Sequence, residues 1–594
     1  MNDQMKQTTS KLNLGLTLRV CLILLFSMSL AFAITKGNIM SENQEAKISE
    51  EELKRLEGNY KVDVHPDPFG FFVKDGKLWL KIGGLEGSGQ TVPLIYQGDG
   101  KFKITPDHAN EFEFKVEGDK VKFTLYSMGN AIQGYRLEEK KPEAGEAAAQ
   151  EPAKPPKREK SRADILAEIK QIEPEFKKNP GDKEIRFKYG NLLYQSGEFW
   201  KARDVIAPLA QAPNPSDEAL SVAAKLEYLI GNYDEAENLY KRLVEAKAGN
   251  IAGQVMANVG LMFTYYQLDK FEKIKGLEFP PGVMLPNVEA IKTFEESPYQ
   301  KQWHGEDKVS IIPFLMTDPL PLLEIEFNGV PVIVFFDTGA DTLILDNEIA
   351  SALGIEWDAK AMGKFGGGKT SEFGFGKIDS VKLGDVTLKQ VPIIILPTKR
   401  FSKGFEDGKY TIGGGIGTAA MRQFLSTVDY KNGRMILRER TAENVRKLRE
   451  ELKGRIAAEV PFVLDATHLM MARGGLNDKD GLTFFVDSGL AGAACLAAPI
   501  QTLHYVGIPV PETKIDRESV GGGGGTWASG VFPITTISMG SLTQSNLKGE
   551  YGSRPPESYW GSGYIQDGLI SHRFLRQYSS WTLDFDAMKY IFEK

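Results

Sequence analysis

The chemistry this sequence offers rests on two acidic triplets. Asp337-Thr338-Gly339 and Asp487-Ser488-Gly489 each follow an apolar run, residues 332–336 in one case and 482–486 in the other. One such triplet is weak evidence, because an Asp-Ser-Gly turn after a strand is commonplace. A pair has a specific use. Two carboxylates held close together cannot both ionise cheaply, so they share one proton. The charged member can take a proton from a water between them, while the neutral member donates to a substrate carbonyl. That chemistry needs no metal, no cofactor and no covalent intermediate. Gly339 and Gly489 would permit the tight backbone approach of the two loops, and the Thr338 and Ser488 hydroxyls could hydrogen-bond across the pair.

The elements that must position the triplets are announced by a repeat that starts near residue 308. A glycine cluster follows each triplet: Gly366, Gly367 and Gly368 in the first copy, and Gly521, Gly522 and Gly523, continuing to Gly525, in the second. Each copy then ends on a strand bearing an Asp, at 427–430 and 582–585. Gly366 to Asp429 spans 63 residues, and Gly521 to Asp584 also spans 63. Matching strand-turn segments lie between these marks, at 378–384 and 534–540. The offset lies before the clusters, where Asp337 to Gly366 is 29 residues and Asp487 to Gly521 is 34. This pattern marks a duplication. Asp429 and Asp584 read as strand-end or turn residues.

Paired triplets of this kind, each with a glycine-rich hairpin and a later apolar-apolar-Gly turn, resemble the aspartic proteases. The Asp-Thr-Gly-Ala form at 337–340 is similar to the retroviral-like branch and its bacterial two-lobed relatives. The resemblance covers about 308–440 as lobe one and 455–594 as lobe two, joined by a charged helical segment at 441–454. It implies a β-rich bilobal fold with a cleft for a polypeptide substrate. Asp337 and Asp487 would be catalytic, with Thr338, Gly339, Ser488 and Gly489 supporting them. The glycine clusters would be flaps that pair with the substrate as an added strand. Pepsin-like enzymes place a hydroxyl directly after the triplet, where this chain has Ala340 and Leu490. Losing a donor to the charged form raises a carboxyl pKa, which predicts activity at weakly acid to neutral pH. The later turn reads Gly415-Ile416-Gly417 in lobe one and Leu569-Ile570-Ser571 in lobe two, so serine stands where the pattern has glycine. That departure motivates the alternative, a degenerate fold that binds peptides or proteins without cutting them. A third option pairs lobe one with itself in a homodimer.

Upstream, residues 48–138 alternate apolar and polar positions between Asp-Gly and Gly-Asp turns, which predicts an antiparallel meander closing into a small barrel-like β domain. Residues 139–161, rich in Lys, Glu, Ala and Pro, predict a disordered linker. Residues 162–277 read as paired helices with recurring landmarks: Gly197-Glu198-Phe199, Gly231-Asn232-Tyr233 and Asp269-Lys270-Phe271. Phe199 to Tyr233 is 34 residues and Tyr233 to Phe271 is 38. This resembles a short tetratricopeptide array, which implies either a docking surface for a protein partner or a spacer. The predicted fold class is therefore multidomain: a small β-barrel-like domain, an α-helical middle, and an all-β bilobal C-terminal half.

Lys11 and Arg19 precede an apolar run that ends near Ala31 and Ala33, the pattern of a signal peptide over 1–33. The expectation is an extracytoplasmic protein, periplasmic or secreted, with no membrane span after cleavage; an uncleaved anchor is the alternative. Cleavage would leave Cys495 as the single cysteine, best read as a buried packing thiol. A net charge of -7 over 594 residues, with no basic cluster outside the linker, argues against nucleic acid as a partner. Neither glycine cluster leads into Lys-Ser/Thr, so a phosphate cradle is improbable. The histidines at 65, 108, 304, 468, 504 and 572 show no metal-ligand spacing. No metal and no cofactor are expected.

Overall fold

The computed structural model describes residues 48–137, 160–279 and 286–594, apart from 63–67, 83–84, 86–90, 104–110, 119, 128–129, 247–250, 358, 365–369, 406–407, 467, 513–514, 519–525, 553–558 and 561. The expected signal segment, most of the linker and both glycine clusters, including Gly366, Gly367, Gly368, Gly521, Gly522 and Gly523, lie outside the described residues. The chain divides into two compact units, 1–158 with 278–285, and 159–277 with 286–594.

In the first unit, helix α1 (Glu50–Arg55), capped by Ser49, leads into nine antiparallel strands. Each strand pairs with its sequence neighbours except at one seam, and the first pairs with the last, Tyr60 opposite Arg136. Alternation sends Tyr60, Phe71, Phe112 and Phe123 to one face, where all four are buried. Phe71 meets Phe112 and Phe123 edge-on, at centroid distances of 5.7 and 5.4 Å. These strands touch across the interior although they are not paired, so the sheet curls around an aromatic core.

The second unit opens with a helical array: α2 (Arg162–Lys178), α3 (Lys183–Gln195), α4 (Phe199–Ala210), α5 (Asp217–Leu229), α6 (Tyr233–Ala246), α7 (Ile251–Gln267) and α8 (Phe271–Lys275). Ser161, Asp182 and Ser216 cap α2, α3 and α5. The three landmark turns share one geometry. Gly197, Gly231 and Asp269 take left-handed φ values of 83°, 86° and 54°. The next residue then donates its N–H five residues back: Glu198 to Leu193 O, Asn232 to Glu227 O and Lys270 to Tyr265 O, at 2.9, 2.8 and 2.9 Å. That is the Schellman closure of a helix end. The longer third spacing reflects α7, which has 17 residues against 13 in α5.

The two lobes are built alike. In lobe one, Val330–Phe336 runs parallel to Ile412–Ile416, with Phe336 opposite Ile416, and Leu343–Asp346 returns antiparallel to that same strand. In lobe two, Lys479–Asp487 runs parallel to Gly568–Ser571, with Val486 opposite Ile570, and Leu496–Ala498 returns antiparallel. The lobes join through a six-stranded sheet with three strands from each. At its centre Phe424–Asp429 pairs with Ser580–Asp584, and the Thr427 and Thr582 hydroxyls meet at 2.8 Å. Trp581, fully buried in that sheet, packs on Phe336 of lobe one at 5.6 Å. Asp429 accepts from Asn432 and Arg434, and Asp584 from the Ala587 N–H, so both are turn residues as expected.

Lobe one gains an edge strand before residue 308: Gln300–Trp303 pairs with Val386–Leu396. Its residues Gln-Lys-Gln-Trp are mostly exposed and carry no alternating pattern that would advertise a strand. The helical array packs into the same compact unit as the lobes. The helical joint between the lobes, expected at 441–454, is Ala442–Glu451 with Thr441 as its cap. Among the described residues no helix is long and apolar enough to cross a membrane.

Candidate active site

Each acidic triplet sits where its strand leaves the sheet. Phe336 and Val486 are buried β residues, and the chain turns within the triplet that follows each. The parallel strands behind hold the turns in place, with the Asp337 N–H donating to Ile416 O at 3.0 Å. The two turns then interlock. The Thr338 hydroxyl donates to Val486 O and accepts the Ser488 N–H, both at 2.8 Å. The Ser488 hydroxyl donates to Phe336 O at 3.3 Å and accepts the Thr338 N–H at 2.9 Å. Both hydroxyls are buried, so all four bonds are shielded from water.

This exchange brings the carboxyls of Asp337 and Asp487 together, 150 residues apart in sequence, and they hydrogen-bond to each other. The glycines measure how closely. A Cβ on Gly339 would lie 2.8 Å from Asp487 Oδ1 and 3.0 Å from Asp337 Oδ1. A Cβ on Gly489 would lie 2.8 Å from Asp337 Oδ2 and closer still to its Oδ1 and Cγ. Each glycine thus faces the opposite carboxyl, and any side chain there would displace it. The six residues expected at the centre of the site, Asp337, Thr338, Gly339, Asp487, Ser488 and Gly489, converge on one locus.

The two carboxyls are electrostatically unequal. Burial pushes Asp487 well above the usual carboxylate range, and the neighbouring Asp337 charge pushes it further. Burial also raises Asp337, but the Gly339 N–H at 2.7 Å and the hydrogen bond from Asp487 work against the rise. Both carboxyls are thus raised by burial, and the pair holds one proton between them into the range where ordinary carboxyls are ionised. Asp487 also accepts the N–H groups of Gly489 and Leu490, at 2.9 and 3.1 Å. Leu490 has no hydroxyl to offer, yet its backbone supplies a donor.

Ser571 fits without distorting this arrangement. In lobe one a Cβ on Gly417 would lie 2.7 Å from Thr342 C and 2.8 Å from its N, so that turn admits only glycine. In lobe two the loop between triplet and returning strand is longer. Ile344 faces Gly415 seven residues after Asp337 (344 − 337), whereas Ala497 faces the equivalent Leu569 ten residues after Asp487 (497 − 487). The three extra residues hold the loop away. The Ser571 hydroxyl donates to Ala494 O at 2.6 Å and accepts the Arg573 N–H at 3.1 Å, capping the short helix His572–Leu575.

One residue near the pair was not singled out by its sequence. Part-buried His468 is close enough to Asp337 that its positive form would favour the Asp337 carboxylate. Burial lowers the His468 pKa, against the pull of Asp341, Asp337 and Asp465. A lone histidine with no spacing partner gives no sequence signal of this placement. Cys495 is fully buried and its thiol is pushed up to about 12, as a packing residue would be. Trp527 lies in the strand Thr526–Met539.

Residues 323–418 match the aspartyl protease family. That segment contains the first triplet, both strands that frame it, and Gly417. No curated protein matches the chain. Among solved structures, a retropepsin-like aspartic protease from Rickettsia conorii is similar over 23% of this chain and 90% of its own, at 16% identity and a TM-score of 0.17. The aspartyl protease match supports peptidase activity in general and a polypeptide as substrate.

Proposed function

We propose that this chain is an aspartic endopeptidase whose two lobes, folded from one polypeptide, each supply one carboxyl. The observation that carries the proposal is the meeting of Asp337 and Asp487 across the Thr338–Ser488 exchange. Asp337, ionised, accepts a proton from a water held between the carboxyls. Asp487, protonated, donates to the scissile carbonyl oxygen, and the water oxygen attacks the carbonyl carbon. The tetrahedral intermediate collapses as Asp337 gives its proton to the leaving amine nitrogen and Asp487 takes back a hydroxyl proton from the gem-diol, which releases the new carboxyl group and restores the pair. Gly366, Gly367, Gly368, Gly521, Gly522 and Gly523 would serve as flaps over an extended peptide. The helical array would keep its tetratricopeptide-like packing, and a protein partner would have to use a surface other than its turn edge. The chain would act outside the cytoplasm if residues 1–33 direct export.

The test uses the full chain, incubated with a denatured protein mixture from pH 3 to 8, beside Asp337→Asn and Asp487→Asn. Loss of cleavage in both variants supports the bilobal enzyme. Loss in Asp337→Asn alone points to a lobe-one homodimer. No cleavage by the wild type, with peptide binding retained, points to a binding protein.

A further inference from the structure

The three landmark turns of the helical array do more than reverse the chain. Each one ends against the peptidase lobes. A Cβ on Gly197 would lie 2.7 Å from Arg473 Nη1 and closer still to Thr483 Oγ1, and one on Gly231 would lie 2.8 Å from Met588 Cγ, all in lobe two. Asp269, at the third turn, accepts from Arg422 of lobe one at 2.5 Å, while the Arg422 guanidinium also donates to Gln267 O and Tyr266 O at 2.9 and 3.0 Å. The turn edge therefore runs from lobe two to lobe one.

Both ends are anchored by buried charge. At the lobe-two end the Arg162 side chain, 1% exposed, pairs with Asp567 and also donates to Ser196 O and Gly481 O. At the lobe-one end the Arg422 side chain is 4% exposed. From that end a hydroxyl relay continues inward: Tyr266 OH meets Tyr299 OH at 3.2 Å, Tyr299 OH meets Thr342 Oγ1 at 3.0 Å, and Thr342 donates to Pro392 O at 2.9 Å. Thr342 lies five residues after Asp337 (342 − 337), in the loop that carries the first triplet.

We infer that the helical array is a brace across the two lobes, and that Asp269 and Tyr299 are positioning residues that hold the Asp337 loop through Arg422 and Thr342. The brace rests on the peptidase reading for its catalytic consequence, but its mechanical consequence is independent of it. Six strands already join the lobes, and Tyr299 adds a separate contact to the Asp337 loop at Thr342. An error of about 1 Å in the placement of a reacting group is enough to slow a reaction about 10²-fold, so a further hold on this loop, beyond the strand behind it and the exchange with lobe two, bears on rate.

The test takes the full chain with Asp269→Asn and Tyr299→Phe, singly and together. Asparagine tolerates the left-handed backbone of position 269, and phenylalanine keeps the Tyr299 ring against Phe271, 6.1 Å away. Two readouts are used: amide hydrogen exchange of a peptide covering 338–346, and kcat and KM on a cleaved peptide. The control is Ile206→Val, in the packing between α3 and α4, which destabilises the array without touching either anchor. The brace predicts at least fivefold faster exchange over 338–346 and at least a tenfold fall in kcat in the double variant, KM changing less than threefold, with neither change in the control. Unchanged exchange in the double variant overturns it, as does equal acceleration in the control. Should the wild type cleave nothing, the peptidase reading fails while the exchange readout still decides the brace.

Discussion

Gly489→Ala is the substitution whose effect can be worked out most fully. Gly489 lacks a left-handed φ, so alanine suits its backbone and the chain should fold. The new Cβ, however, would sit 2.8 Å from Asp337 Oδ2 and nearer to Oδ1 and Cγ. Comfortable contact begins at about 3.5 Å, so the Asp337 carboxyl must retreat by about 1 Å. A displacement of that size costs about 10²-fold in rate, or about 2.7 kcal/mol of barrier. Gly339→Ala is the internal comparison. Its Cβ would be 2.8 Å from Asp487 Oδ1, 2.9 Å from Cγ and 3.0 Å from Asp337 Oδ1, a milder crowding that should cost about tenfold. The assay is kcat/KM on a quenched-fluorescence peptide, with a thermal melt to show that each variant is folded. A folded Gly489→Ala enzyme within threefold of wild type would refute the reasoning, because the Asp337 carboxyl could not then be where the reaction happens.

Other outcomes follow from the same geometry. Burial raises both carboxyls, so activity should rise on the acid side as the pair loses its first proton and fall on the alkaline side as it loses the second, and the rate profile peaks at weakly acid to neutral pH; a peak near pH 2 contradicts it. The stability sign is the reverse. A carboxyl whose folded pKa is raised contributes its full stability below the unfolded pKa and loses it as pH rises, so Asp487→Asn should melt higher than wild type at pH 7 and no higher at pH 3. Gly417→Ala should destabilise lobe one by about 2 kcal/mol or more in denaturant melts, whereas Ser571→Ala in lobe two should cost about 1 kcal/mol, the loss of one helix cap. Arg162→Met should lower stability by about 3–5 kcal/mol, because Asp567, whose side chain is 0% exposed, loses its ion-pair partner.

The lobes and their acid pair were legible because duplication doubles every signal. A triplet that means little alone gains force when its strand, its later turn and its 63-residue spacing all recur. The role of Ser571 was not legible, because it depends on three extra residues elsewhere that hold a loop off the turn. The array shows the same limit. Gly197, Gly231 and Asp269 mark turns in the sequence, but Thr483, Met588 and Arg422 receive them from hundreds of residues away or nearly so, and no local pattern pairs such partners. His468 belongs here too, since only the folded chain brings a turn of lobe two beside Asp337. The polar edge strand Gln300–Trp303 went unseen because half-exposed pairing needs no apolar alternation.

The claim that two distant acids share one proton is open to direct observation. Carbon-13 spectra of the full chain with carboxyl-labelled aspartate, assigned through Asp337→Asn and Asp487→Asn, would follow each group from pH 3 to 8. Linked curves are predicted, with one proton lost from the pair before the other and each signal altered when the partner residue is replaced. Two independent titrations near the ordinary aspartate value, each indifferent to loss of the other residue, would contradict the account.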